Sequence, residues 1–257
     1  MLFDVRGRRR HVIRVVYAIL ALLMGASLFL VVGPFNIANL IGGGTTSETA
    51  KVLVERAERT EEKLLREPDN PALLLSLTRS RVAAGNAQTE IDPQTGAPLV
   101  DATALESFDK ATEAWNRYLT QTEHPNPSGA QLMATTFFTL AQTSSGIEAI
   151  DESLANAARA QRIAAEAQPS VGTLTNLAIY EYFNGNFAGG NKAGKEAEAK
   201  APASQVKQIE EQLAEYRQRG KSWENEKKRV AKLEKEQGKE SLENPFGGFG
   251  GGSGLGG

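Results

Sequence analysis

Cysteine is absent from the 257 residues of this chain, and histidine occurs only twice, as His11 and His124. A chain without cysteine has no disulfide framework, no thiolate metal site and no thiol nucleophile. Neither histidine stands at metal-ligand spacing with the other. We therefore expect neither a metal site nor a cofactor, and chemistry that needs a reactive thiol is excluded.

Aromatic residues are few, at 7% of the chain, and the net charge is only -2. This near-neutral balance lacks the strong positive charge of nucleic-acid-binding proteins, so we expect no nucleic-acid partner. Few aromatic residues together with abundant alanine favour closely packed helices over a β-sandwich. The composition therefore predicts an all-α fold.

The sequence contains no complete set of catalytic residues. Asp92 lies in the segment DPQTG, which is similar to an aspartic-protease turn, but that chemistry needs a second aspartate in a matching loop of a β protein. Ser144 lies in a Ser-Ser-Gly segment that lacks the strand-turn-helix context and the partner base of a serine nucleophile. We predict no catalytic residues and therefore no enzymatic activity.

One long apolar run stands near the N-terminus, where residues 15–32 read VVYAILALLMGASLFLVV without charge or proline. About 18 residues of helix span roughly 27 Å, which is close to the hydrocarbon thickness of a bilayer. A second apolar stretch continues to Ile41. We predict that residues 15–41 form a transmembrane anchor in contact with membrane lipid.

The charges on either side of the run predict its orientation. Residues 1–14 hold five arginines against a single aspartate, whereas residues 34–47 hold no charge. By the positive-inside rule, residues 1–14 form a basic cytoplasmic flank of the plasma membrane, and the rest of this single-pass chain is extracytoplasmic. A cleaved signal peptide is the alternative. The run is longer than a usual signal core and no small-x-small site follows it, which favours a signal-anchor.

Glycines and threonines in residues 42–47 predict a flexible linker. The spacing of apolar residues over 48–237 predicts a domain built of helices. Residues 90–101 interrupt the helices with prolines and a glycine, which indicates a small β-hairpin or an ordered loop. A long last helix carries an apolar seam at near-heptad spacing and is expected to cap the domain, with a coiled coil as the alternative. The glycine-rich residues 238–257 are expected to be disordered.

The helices form pairs with a recurring pattern. The clearest pair, residues 171–203, contains Leu174, Leu177 and Ala178 in its first helix, Gly185-Asn186-Phe187 at its turn, and Ala197 and Pro202 near its end. Part of this pattern recurs at Leu74, Leu77 and Gly85-Asn86, and more loosely at Phe137, Leu140 and Ala141. In these residues the chain resembles the tetratricopeptide repeat (TPR) family over about residues 71–203.

The resemblance implies a TPR-like α-solenoid of stacked helix pairs. The sequence departs from the family by the insertion at residues 90–101. It also has Gly190 and Gly194 in the second helix of the last pair, where each glycine weakens the helix by about 1 kcal/mol. A helical bundle without repeats therefore stays open as an alternative.

In this family the first helix of each pair lines a concave groove that binds peptides or protein segments. The positions that the resemblance assigns to the groove are Leu75, Ser76, Arg79, Val82, Thr175, Asn176, Ile179, Tyr182 and Phe183. Asn176 matches the asparagine of family members that clamp a C-terminal carboxylate, but their companion lysines are missing, so we expect apolar segments instead. Alternatively, Tyr182 and Phe183 pack against the last helix.

These features together predict a membrane-anchored protein-protein interaction module that binds envelope or exported proteins. Its layout is similar to that of anchored repeat proteins beside the Sec translocon, which implies a role in assisting secretion by analogy. The alternative is a structural scaffold of an envelope complex that forms homo-oligomers through the C-terminal helix.

Overall fold

The computed structural model describes residues 47–92, 98–144 and 146–243. The predicted cytoplasmic flank 1–14, the predicted anchor 15–41, the linker up to residue 46 and the tail from residue 244 lie outside the described residues. Within the described part of the chain, no helix combines the length and the apolar character needed to span a bilayer.

The described residues form an all-α domain with one very short β-hairpin, as the composition predicts. The elements are α1 (Ser47–Leu64), α2 (Pro71–Gln88), β1 (Glu90–Ile91), β2 (Pro98–Leu99), α3 (Ala102–Thr120), α4 (Pro127–Thr143), α5 (Ile147–Ala167), α6 (Val171–Phe183), α7 (Phe187–Lys200) and α8 (Ala203–Glu243). β1 and β2 pair in antiparallel register, with Glu90 opposite Leu99 and Ile91 opposite Pro98.

Local sequence signals start most of these helices. Side-chain caps accept hydrogen bonds from first-turn amides at Asn70, Asp101, Asn126, Ser170 and Asn186. Pro71 and Pro127 occupy the first helical position, where a missing N–H costs nothing. At α6, the side chains of Ser170 and Thr173 form a reciprocal capping box.

Consecutive helices pack against each other as antiparallel pairs. In the pair of α2 and α3, Gly85 near the end of α2 contacts the ring of Phe108 near the start of α3. At the other end, Arg117 of α3 donates a hydrogen bond to the carbonyl of Pro68, just before α2. In the pair of α6 and α7, Gly190 lies directly against the ring of Tyr182.

The β-hairpin marks one end of the domain, which we call the hairpin end. It joins the C-terminus of α2 to the N-terminus of α3, so both helix ends lie there. Only six residues join α1 to α2, and α1 packs along α2, with Glu61 accepting from Arg81 at 2.7 Å. The two helices are therefore antiparallel, and the N-terminus of α1 also lies at the hairpin end.

Helix α8 differs from the others in length. Its 41 residues extend about 60 Å, at 1.5 Å per residue. The side chains of Ile209, Leu213, Tyr216 and Trp223 are buried in the core that α8 shares with α6, and half-buried Val230 is the last described side chain packed against it. The helix continues to Glu243, so residues 238–243 are helical rather than part of a disordered tail.

Candidate functional site

The predicted groove residues of α2 fall into two environments. Val82 is buried at 1% exposure, so it belongs to the core and offers nothing to a peptide. Leu75 is half-buried and Arg79 is exposed. The Arg79 guanidinium donates to Asn126 Oδ1 and Ser128 Oγ, both at 3.0 Å, which links α2 to the start of α4. Leu75 and Arg79 therefore remain accessible.

An open cavity of about 580 Å³ lies beside Leu75, at the end of the domain opposite the hairpin end. Ends of α2, α3, α4 and α5 meet there. The lining residues are Pro71, Ala72, Leu75, Tyr118, Thr122, His124, Pro125, Asn126, Pro127, Ala167 and Gln168. Its walls combine apolar side chains with several polar groups, and both kinds can contact a bound protein segment. His124 is exposed.

Most of the predicted groove residues of α6 have buried side chains. Ile179, Tyr182 and Phe183 are buried at 5%, 3% and 0% exposure. Thr175 is also buried, at 8%, and Asn176 alone of the five is half-buried. Four of the five positions are therefore inaccessible to a peptide in this structure, and the expectation that they line an open groove needs correction.

The aromatic residues of α6 are buried because other helices pack on them. The Phe183 ring lies 5.6 Å from Phe138 of α4 and 6.1 Å from Tyr216 of α8, centre to centre. The Tyr182 ring stacks on Phe187 at 6.1 Å, and its hydroxyl donates to Asn191 Oδ1 at 3.1 Å. The alternative that these side chains pack against the last helix therefore describes Phe183 directly.

Helix α8 crosses the end of α6 at very close range. A Cβ atom added to Gly220 would lie 2.4 Å from the carbonyl oxygen of Tyr182, so only glycine permits this backbone contact. One turn further on, Glu224 lies against Gly185, whose φ of 77° places it in the left-handed region that favours glycine. The two glycines let α8 cover the C-terminal end of α6.

A polar cluster then ties α8 to the start of α5. Asp151 accepts hydrogen bonds from Trp223 Nε1 at 3.2 Å and from Lys227 Nζ at 3.1 Å. The Lys227 ammonium also pairs with Glu224 at 2.5 Å. Burial lowers the pKa of Lys227, but the hydrogen bonds to Glu224 and Asp151 outweigh it, so the pKa is raised overall. The cluster holds Lys227 in its charged form.

A buried carboxylate on α6 is a polar feature that the sequence pattern does not reveal. The Glu181 side chain is 3% exposed and pairs with Arg162 of α5. Its second oxygen accepts from Asn186 Nδ2 at 2.7 Å. Both carboxylate oxygens are thus satisfied, which is the arrangement that buried structural charges require. Glu181 links α5, α6 and the turn before α7.

Among the described residues, no group of three or more acidic residues and histidines lies close enough together to hold a metal ion.

Of the predicted groove, the region around Leu75, Arg79 and the neighbouring cavity is the main part that remains accessible. Comparison with known protein families, with curated proteins and with solved structures finds no match for this chain.

Proposed function

We propose that this protein is a membrane-anchored interaction module whose TPR-like domain binds segments of envelope or exported proteins outside the plasma membrane. Three successive antiparallel pairs, α2 with α3, α4 with α5 and α6 with α7, support the repeat interpretation. The uncharged run at residues 15–32, with arginines before it, supports the anchor and its orientation. A role in assisting secretion, beside the Sec translocon, belongs to the same proposal by analogy.

The single observation that carries the binding proposal is the open region around Leu75 and Arg79. The cavity beside Leu75 has room for one or two apolar side chains of a protein segment. Arg79 adds a guanidinium whose remaining N–H groups are free to donate to a peptide carbonyl or carboxylate. Since α8 covers the end of α6, binding is assigned to α2 and α4 rather than along all three first helices.

In-cell photocrosslinking tests this assignment. A photoreactive amino acid at Arg79 is compared with one at Glu113, an exposed position on α3 away from the cavity. We expect crosslinks to several exported or envelope proteins from position 79 and far fewer from position 113. Equal crosslinking from both positions, or none from either, would contradict the binding proposal.

The anchored orientation is tested separately with reporter fusions at both termini. We expect a reporter at the N-terminus to be active only in the cytoplasm and one at the C-terminus only outside. A cytoplasmic C-terminus would end the proposal that the domain meets exported proteins, although the assignment of a binding region would survive it.

The scaffold alternative has weaker support from the described residues. The apolar seam that predicts oligomerisation through the C-terminal helix includes Ile209, Tyr216 and Trp223. All three side chains are buried within the same chain. A homo-oligomer formed through this helix would therefore have to use the part beyond Val230, where Leu233 is exposed, and the interaction module is the better supported function.

A further inference from the structure

Three polar side chains in the cavity beside Leu75 use their acceptor atoms within the protein. Tyr118, Thr122 and Asn126 line the cavity, and all three are buried or half-buried. The Tyr118 hydroxyl accepts a hydrogen bond from the backbone amide of Asn126 at 2.8 Å. Thr122 Oγ1 accepts one from the backbone amide of His124 at 3.2 Å. Both hydroxyls thus act as acceptors for the segment between α3 and α4.

The side-chain oxygen of Asn126 is an acceptor that already has three donors. It accepts from Arg79 Nη2 at 3.0 Å, from Ser128 Oγ at 2.8 Å and from Gly129 N at 2.9 Å. A carbonyl oxygen has two lone pairs, so this atom has no capacity left for a ligand. Asn126 Nδ2, in contrast, makes no hydrogen bond with the described residues. It is accessible, since Thr175 Oγ1 is the only fully buried side-chain polar atom without a partner among them.

Each of these three side chains retains a hydrogen-bond donor. A hydroxyl that accepts a hydrogen bond still has its own O–H to donate, and a side-chain amide has two N–H groups. In the described part of the chain, no acceptor takes the O–H of Tyr118 or Thr122. The remaining polar lining residues, His124 and Gln168, are exposed and can both donate and accept. The less exposed polar side chains of the wall therefore offer donors to a ligand.

The cavity wall has no acidic side chain and no lysine or arginine among its described residues. The Arg79 guanidinium lies beside the cavity, where it already donates to Asn126 and Ser128. A carboxylate that entered the cavity would lose water without meeting a lysine or arginine on the wall, and burial of an unpaired charge is costly. Neutral acceptors, such as the carbonyl groups of a peptide, suit these donors better.

We propose that the cavity beside Leu75 binds proline-rich segments of the partner proteins. A proline carries a carbonyl acceptor and an apolar ring, and it has no backbone N–H. The apolar part of the wall can hold the ring; it consists of Pro71, Ala72, Leu75, Pro125 and Pro127. The proline carbonyl accepts from the donors of Tyr118, Thr122 or Asn126. Any other residue brings an N–H group that finds Asn126 Oδ1 already saturated.

This inference rests on the proposed function and names the class of segment that the module takes. Proline-rich chains form the polyproline II helix, which has no internal hydrogen bonds and leaves its carbonyls available. This helix is ordered before it binds, so less conformational entropy is lost when it enters an open cavity. The cavity volume of about 580 Å³ gives room for one or two proline rings. Proline-rich segments, rather than apolar segments in general, are therefore the expected partners.

Fluorescence anisotropy with the full-length protein in detergent micelles tests the proposal, with empty micelles as the blank. The first probe is a labelled peptide, capped at both ends, of four prolines and two leucines between terminal serines. Alanine replaces the prolines in the second peptide, N-methylalanine replaces them in the third, and the fourth is the alanine peptide with a free C-terminal carboxylate. We expect the proline peptide to bind about tenfold more tightly than the alanine peptide, whose added N–H groups lack acceptors. The N-methylalanine peptide lacks the same N–H groups and should bind within about threefold of the proline peptide.

A variant of the protein tests the donors directly. Thr122→Val removes one hydroxyl donor at nearly constant shape and should weaken binding of the proline peptide about three- to tenfold. The matched control is Thr112→Val, at a half-buried position of α3 outside the cavity lining, and it should leave binding unchanged. Circular dichroism and urea unfolding of both variants verify that the helical domain remains folded. Equal binding by the two variants would overturn the assignment to the cavity.

The peptide series also states which results would contradict the proposal. Equal affinity for the proline and alanine peptides would overturn it, as would tightest binding by the peptide with the free carboxylate. An N-methylalanine peptide that binds no better than the alanine peptide would overturn it too, because the proposal depends on the missing N–H groups. These results would leave the binding region itself standing if a photoreactive residue at Arg79 still crosslinks to partner proteins. No crosslinks from that position, together with no binding of any peptide, would remove the proposed function as well.

Discussion

At the scale of single residues, the N-terminal half of α6 contains one buried hydroxyl without a partner among the described residues. Thr175 Oγ1 is the only buried side-chain polar atom among the described residues that makes no hydrogen bond. Two positions earlier, Thr173 Oγ1 accepts from the amide of Ser170 at 2.8 Å and donates to the carbonyl of Gln168 at 2.8 Å. The two threonines on this helix therefore offer a direct comparison between a buried hydroxyl without a partner and one with two partners.

Replacement of Thr175 by valine is expected to stabilise the domain by about 1 kcal/mol, because it removes an unpaired buried hydroxyl at constant shape. The same replacement at Thr173 should destabilise it by about 1–2 kcal/mol, since it removes the capping box of α6. Urea unfolding followed by circular dichroism measures both. A loss of stability in Thr175→Val would mean that its hydroxyl has a partner, such as a water molecule.

Alkaline pH is expected to loosen the contact of α8 with the rest of the domain. Burial raises the pKa of Tyr216 to about 12, so the folded state favours its neutral form, and this contribution to stability is lost as pH rises from 10 to about 12. The raised pKa of Lys227 acts in the same direction, because its contribution disappears as pH rises through the folded-state pKa.

Urea midpoints at pH 9 and pH 11 measure this effect, and we expect a clear decrease at the higher pH. Tyr216→Phe should reduce the decrease without abolishing it, because burial also raises the pKa values of Tyr180 and Tyr182. A midpoint that stays constant, or an equal decrease in the variant, would contradict the assignment to Tyr216.

At the scale of elements, α8 has two parts with different roles. The part up to Val230 packs against the domain through buried Ile209, Leu213, Tyr216 and Trp223. Beyond Val230 the described side chains of Ala231, Lys232, Leu233 and Lys235 are exposed. The first part completes the core, and the second extends past it.

Two truncations distinguish these parts. A chain that ends after Val230 should unfold within about 1 kcal/mol of the full chain, because the described side chains that it loses are exposed. A chain that ends after Pro202 should lose cooperative unfolding, since four large side chains leave the core at about 1.5–3 kcal/mol each. Thermal unfolding by calorimetry measures both. Equal stability of the two truncated chains would show that α8 is dispensable.

At the scale of the whole molecule, the buried seam of α8 predicts the oligomeric state. Four seam residues of the predicted coiled coil, Ile209, Leu213, Tyr216 and Trp223, already pack within the chain, so the full-length protein in detergent should sediment as a monomer. Analytical ultracentrifugation over a tenfold to hundredfold range of concentration measures this. A stable dimer that disappears in the chain ending after Val230 would instead place an interface on the exposed part of α8.

The sequence alone determined the helices and their turns, because these depend on residues within about four positions of each other. Asn70, Asp101 and Ser170 cap helices by contacts two or three residues along the chain. Pro71 and Pro127 similarly mark helix starts that are readable without any tertiary contact.

Only the tertiary structure decided which predicted groove residues are accessible. Phe183 is buried by Tyr216, and Asp151 fixes Trp223 and Lys227 from more than seventy residues away. A repeat pattern assigns a position to a face of a helix, but it does not state what packs on that face. The exposure of a side chain depends on residues far away in the sequence. Helix α8 therefore buries the C-terminal end of α6, while Leu75 and Arg79 remain accessible.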